Sequence, residues 1–270
     1  MGKLFWLMAI ISAGVLSALP GVIGSAIAYE EVEVAEGGTI LGTVKFTGMA
    51  PPIPAIKVVK NPDVCGLEVR PPVLVVNPSN QGLKDTVVYI EQIEKGKMLP
   101  DKVTIDSIRC LFEPHVTGVI RNGNMAMRNS DPVLHNPHTF NERGATVFNI
   151  AIPEQGQTVE RRMRSGGVIR IQCDLHAHMN AWAISLEHPY FAVTDENGQF
   201  EIKDVPPGRY QLVAWHQGYH ITNWPAYEES IKTGAEEIER PMYDEPHVVI
   251  QEIKVLPDQA RRIDFEIKGR

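Results

Sequence analysis

The sequence predicts an all-β chain built from two β-sandwiches, and three observations lead there. Short β-branched or alternating runs recur at residues 39–47, 86–93, 102–108, 116–127, 167–171 and 200–212. Turn-forming pairs punctuate them: Pro51-Pro52, Pro71-Pro72, Asn122-Gly123, Asn197-Gly198 and Pro206-Pro207-Gly208. Only residues 235–240 and their surroundings carry a helical pattern, and a weak one. Short strands with turns at this spacing belong to a sandwich or barrel.

The first 28 residues read differently from the rest. Lys3 gives a short positive region, an apolar run starts at Leu4, and Ala26-Ile27-Ala28 is a small-x-small cleavage pattern before polar Tyr29-Glu30-Glu31. Residues 1–28 are therefore expected to be a signal peptide. The alternative is an uncleaved N-terminal membrane anchor, because the apolar run is long enough to span a bilayer; Pro20 and Gly14, Gly21 and Gly24 weaken such a helix. Either way the remainder is expected outside the cytoplasm, periplasmic or extracellular.

Composition bounds the function. Apolar residues make up 43% and charged residues 22%, as in an ordinary globular protein. The net charge of −7 is spread along the chain, so nucleic acid is not an expected partner. Three cysteines are an odd count for an oxidising compartment. The simplest arithmetic is a Cys65–Cys110 disulfide plus a separate Cys173 thiolate, against the alternative of two buried reduced cysteines. No Cys-x-x-Cys-His occurs, so covalent haem is not supported.

Residues 173–179, Cys-Asp-Leu-His-Ala-His-Met, carry the strongest chemical signal. A thiolate, an imidazole and a thioether at Cys173, His176 and Met179 can meet one ion if a tight loop joins two strands. Runs at 167–171 and 181–186 supply those strands. A fourth ligand must come from elsewhere, and His135 in Leu134-His135-Asn136 supplies it. Two imidazoles, one thiolate and a weak axial Met form the type 1 copper set. Taken singly, His135 reads as a turn residue and Cys173 as a buried thiol; only jointly do they suggest a site. A zinc-loaded or decayed site is the alternative.

The Cys-x₂-His-x₂-Met loop has the spacing of amicyanin, and His135-Asn136-Pro137-His138 resembles the cupredoxin His-Asn-x-His segment, with Pro137 where relatives usually have Val. Residues 84–187 therefore resemble a cupredoxin, a Greek-key β-sandwich of the amicyanin and plastocyanin type. A different pattern starts near residue 187. The hairpin 194–200 and the turn 205–210 resemble a carboxypeptidase regulatory-like, transthyretin-type sandwich, a family that also opens with a strand like residues 38–44. The expected order is a signal peptide at 1–28, N-terminal strands at 29–83, the copper domain at 84–187 and the second sandwich at 188–270. The N-terminal strands are a candidate part of that second sandwich. The combination resembles proteins named for methylamine utilisation.

The resemblance implies one type 1 copper held by His135, Cys173, His176 and Met179. It also implies an exported protein that passes single electrons between redox partners, a periplasmic cytochrome c being one such partner. His176, ringed by Leu134, Pro137 and Ala177, would be the electron port. An enzyme is not expected, because Met179 fills the axial place. The alternatives are a copper carrier, or a non-catalytic binding or structural module of a cell-envelope redox complex. His178 is expected to point away from the metal at the solvent edge. His115 is expected as a strand-end residue, Met125 and Met127 as core, and His188, His216 and His220 as at most a minor second metal site.

Overall fold

The computed structural model describes residues 29–234 and 238–269. The expected signal peptide, and part of the weak helix expected at 235–240, lie outside the described residues. Among the described residues no helix is long and apolar enough to cross a membrane. The architecture is all-β, as the sequence predicts, with short helices at Pro62–Cys65 and Trp224–Lys232.

Four larger sheets lie face to face. The first holds Thr158–Arg162, Asn124–Asn129, Lys102–Ile108 and Leu111–Glu113, in that order. The second holds Thr146–Asn149, Pro137–Phe140, Gly167–Cys173, Asn180–Leu186 and Val116–Ile120. The third runs Phe191–Val193, Val87–Ile90, Gly208–His216 and His247–Val255. The fourth sets Gly38–Thr47 between Gln199–Val205 on one side and Ala260–Arg262 with Phe265–Lys268 on the other.

Period-two alternation decides which core each residue enters. Met125, Met127, Ile169, Ile171, Ala181 and Ala183 fill the core between the first two sheets. The opposite faces of the same strands send Val168, Trp182, Ile184 and Leu186 toward Val87, Tyr89 and Trp215 of the third sheet. Val88, Ile90, Leu212 and Ala214 then face Ile40, Val44, Phe200 and Phe265 of the fourth. The strand Val87–Ile90 is thus covered on both faces, which explains its unbroken apolar run.

Two strands differ from expectation. The run at 116–127 is two strands, not one. Val116–Ile120 lies in the second sheet and Asn124–Asn129 in the first, with Asn122 at φ 64° turning the chain between them. The run at 86–93, expected in the copper domain, pairs instead with Gly208–His216 and Phe191–Val193. Because its two faces meet two different cores, it cannot serve the edge of the inner sandwich, and the boundary expected at residue 84 moves beyond Ile90. The N-terminal strand Gly38–Thr47 pairs antiparallel with Gln199–Val205. The sandwich formed by the first two sheets therefore sits, in chain order, between strands of the other one.

Candidate metal centre

Strand alternation places Cys173 on the inner face with Ile169 and Ile171. Gln172 pairs with Asn180, so residues 173–179 form the tip of a hairpin. The tip is tightened from within: Cys173 N–H donates to Met179 O at 3.3 Å and Met179 N–H to His176 O at 3.0 Å. Pro137 pairs with Cys173, which draws the preceding His135 alongside the loop. Asn136 N–H donates to the Cys173 sulfur at 3.3 Å, and Asp174 N–H to Asn136 O at 3.1 Å.

His135, Cys173 and His176 come together with their donor atoms all within 4.8 Å of one another. The Cys173 sulfur lies 3.9 Å from His135 Nδ1 and 3.4 Å from His176 Nδ1. Bonds of about 2.0 Å to imidazole and about 2.3 Å to thiolate, at angles between tetrahedral and trigonal, separate such atoms by about 3.5–3.7 Å. The observed pair brackets that range, so the donor set fits a first-row metal ion. Met179 is fully buried in the same core as Cys173.

The far nitrogens fix the tautomers. His135 Nε2 faces Asp131 Oδ2 at 3.0 Å and His176 Nε2 faces Asn61 Oδ1 at 3.2 Å. Both oxygens only accept, so each Nε2 carries the proton and each Nδ1 keeps its lone pair toward Cys173. Burial disfavours imidazolium here. It lowers His135, against the opposing Asp131 carboxylate, and pushes His176 down to about 3, helped by His135 and His178. Burial also raises the Cys173 thiol, opposed by backbone N–H groups of Asn136, Leu175 and His176 and by the Arg240 charge. An ion held by these groups would displace the thiol proton.

Cys65 and Cys110 form a disulfide. Their sulfurs lie within 4.8 Å of a His176 nitrogen, yet both are committed to each other. Such a bond belongs to an oxidising compartment. It staples down a small hairpin, Ile56–Lys57 paired with Glu68–Val69, whose tip carries Asn61 over His176. Here the structure corrects the expected electron port: His176 is only 1% exposed and Pro137 is buried, although Leu134 remains open to solvent. His178 also differs from expectation. It is not at the solvent edge but buried, bonded through Nε2 to Cys110 O at 3.1 Å and pushed by burial down to about 4. It lies outside the His135–Cys173–His176 group.

Sequence reasoning missed Asp131, Asn61 and Arg240. The Arg240 guanidinium donates to the carbonyls of Cys173, His176, Ala177 and Met179. The remaining candidates behave otherwise. His115 is buried against Gln217, and Met125 and Met127 are core. His188, His216 and His220 enter no three-ligand group among the described residues.

No curated protein matches this chain. Residues 174–234 match the family of polysaccharide lyase family 4, domain II. Among solved structures, a purple cupredoxin from Nitrosopumilus maritimus is 17% identical over 31% of this chain and 98% of its own, with a TM-score of 0.28. A reduced amicyanin variant is 13% identical over 33% of this chain and 85% of its own, at 0.29. A copper-containing nitrite reductase from Thermus scotoductus is 15% identical over 37% of this chain and 25% of its own, at 0.29.

Proposed function

We propose that this chain is an exported carrier of single electrons, with one copper held by His135, Cys173, His176 and Met179. The observation that carries the reading is the approach of two lone-pair Nδ1 atoms to one thiol, at 3.9 and 3.4 Å. Held by these four residues, copper would supply one-electron chemistry between two oxidation states. The chain's own part is to hold the donors still. Asp131 and Asn61 fix the two rings, and Asn136 N–H donates to the sulfur. Complete burial of Cys173 and Met179 keeps water from adding to the site.

That burial favours a resident ion over a copper carrier, whose ligands must be reachable by the recipient. The second sandwich is read as a non-catalytic module; the match of residues 174–234, which starts in the Cys173–Met179 loop and runs on into that sandwich, to a lyase's second domain gives it no chemistry of its own. A periplasmic cytochrome c is a suitable partner class. The test is the visible spectrum of the copper-loaded full chain beside Cys173→Ser. One copper per chain with an intense thiolate-to-metal band, lost in the variant, is the expected result. An unchanged spectrum in the variant removes Cys173 from the site.

A further inference from the structure

The three loop residues assigned as ligands share an unusual arrangement of backbone. The carbonyls of Cys173, His176 and Met179, with that of Ala177, converge on one guanidinium. Arg240 Nη1 lies 3.3 Å from His176 O, 3.0 Å from Ala177 O and 3.2 Å from Met179 O, and Nη2 lies 2.5 Å from Cys173 O. Clustered carbonyl dipoles repel one another unless a multiple donor stands between them. A planar guanidinium, with five N–H groups and a permanent charge, is suited to that place.

The mount of this side chain lies outside the inner sandwich. Arg240 follows the Trp224–Lys232 helix, in the part of the chain that lies between strands of the third sheet. Asn223 Nδ2 donates to Arg240 O at 2.9 Å, and Asn223 Oδ1 accepts Met242 N–H at 2.8 Å. Glu239 N–H is held by Ser230 Oγ at 3.0 Å. The backbone on either side of Arg240 is therefore tied to the helix and its N-terminal cap residue.

We propose that Arg240 is a positioning residue of the metal centre, an outer clamp from the second sandwich that fixes the ligand loop and biases the site toward its reduced state. The inference rests on the copper reading for its electrostatic half only; the mechanical half concerns the loop with or without metal. Reduction removes one positive charge from the centre, so a neighbouring fixed cation favours the reduced form. Loss of the charge lowers the reduction potential, and loss of the fork frees the loop.

The test uses the full chain as wild type, Arg240→Met and Arg240→Lys. In the metal-free proteins, amide hydrogen exchange of Cys173, Asp174 and Met179 should quicken by about tenfold or more in both variants, with the Gly38–Thr47 strand unchanged. In the copper-loaded proteins, the potential of Arg240→Met should fall below wild type, while Arg240→Lys stays near it. If Arg240→Met does not fold, the loop exchange of Arg240→Lys decides. Unchanged loop exchange in the folded variants overturns the clamp, and equal potentials in wild type and Arg240→Met overturn the bias. Failure of wild type to show a thiolate-to-copper band refutes the copper reading instead, and leaves the exchange experiment to decide the clamp.

Discussion

His135 Nε2–H donates to Asp131 Oδ2 at 3.0 Å, on the ring edge away from the Cys173 sulfur. The same carboxylate accepts the backbone N–H of Arg109 at 2.7 Å and of Cys110 at 2.8 Å. One acidic side chain thus orients the His135 imidazole toward Cys173 and stabilises the turn that carries half of the disulfide. Asp131→Ala should weaken metal binding by about 10–100-fold. It should also destabilise the metal-free chain by at least about 2 kcal/mol, because buried donors lose their acceptor. Asp131→Asn keeps an acceptor and should lose less of both. Chelator competition and urea unfolding measure the two effects.

The disulfide should matter both to the chain and to the cover over His176. Cys65→Ser with Cys110→Ser opens a loop closed across 45 residues, which should cost about 2–4 kcal/mol. The hairpin bearing Asn61 then loses its anchor, and copper should pass to an external chelator faster than from wild type. An unaltered transfer rate would show that the cover is held by other contacts.

Acid should weaken the fold through His115 and His216, buried histidines that lie outside the His135–Cys173–His176 group. Burial lowers His115 to about 4 against the opposing Gln217 bond, and lowers His216 to about 4 as well. In the unfolded chain both take up a proton near the ordinary value of 6.5. Their stabilisation is therefore complete above about pH 6.5 and is lost as the pH falls toward about 4. His115→Gln removes one such group. Between about pH 7.5 and about pH 5, its unfolding free energy should fall by about 1–2 kcal/mol less than that of wild type. Parallel urea-midpoint curves for the two proteins would contradict this.

Trp215 and Trp182 meet across the second and third sheets with ring centroids 5.6 Å apart. Trp215→Ala should cost about 3–5 kcal/mol, as large aromatic truncations in cores do. Trp182 lies in the strand that leaves the ligand loop, but on the face opposite Ala181 and Ala183. The thiolate-to-copper band should therefore survive in folded Trp215→Ala. A bleached band would mean that the interface tunes the site directly.

Much of this arrangement was legible in the sequence, and the gaps have a physical pattern. The meeting of Cys173 and His176 was readable because one hairpin tip brings them together at short spacing. His135 was readable as a ring beside Asn136, and the structure brings it to the same sulfur. Asn61, Asp131 and Arg240 were not, since each acts through contacts that leave no local periodicity. His178 looked exposed because a charged-capable ring in a loop usually is. What buries it is Cys110, far away in sequence. The strand Val87–Ile90 was misplaced because an apolar run reports coverage on both faces without naming the covering sheets.

The pairing of Gly38–Thr47 with Gln199–Val205, Ala260–Arg262 and Phe265–Lys268 also has a consequence in time. During synthesis this first long strand emerges early, and every strand that flanks it emerges late. The inner sandwich, complete by Leu186, can collapse on local contacts while Gly38–Thr47 still waits for its strand partners, bonded only to the segment Gln81–Leu83. Closing that outer sandwich joins Gly38–Thr47 to strands roughly 150–220 residues later, a pairing of high sequence separation and hence slow. Until Ala260–Arg262 and Phe265–Lys268 pair with it, Gly38–Thr47 carries an open, β-prone edge. On the export route proposed for this chain, that interval falls in an oxidising compartment, where the Cys65–Cys110 disulfide that pins the cover can form first.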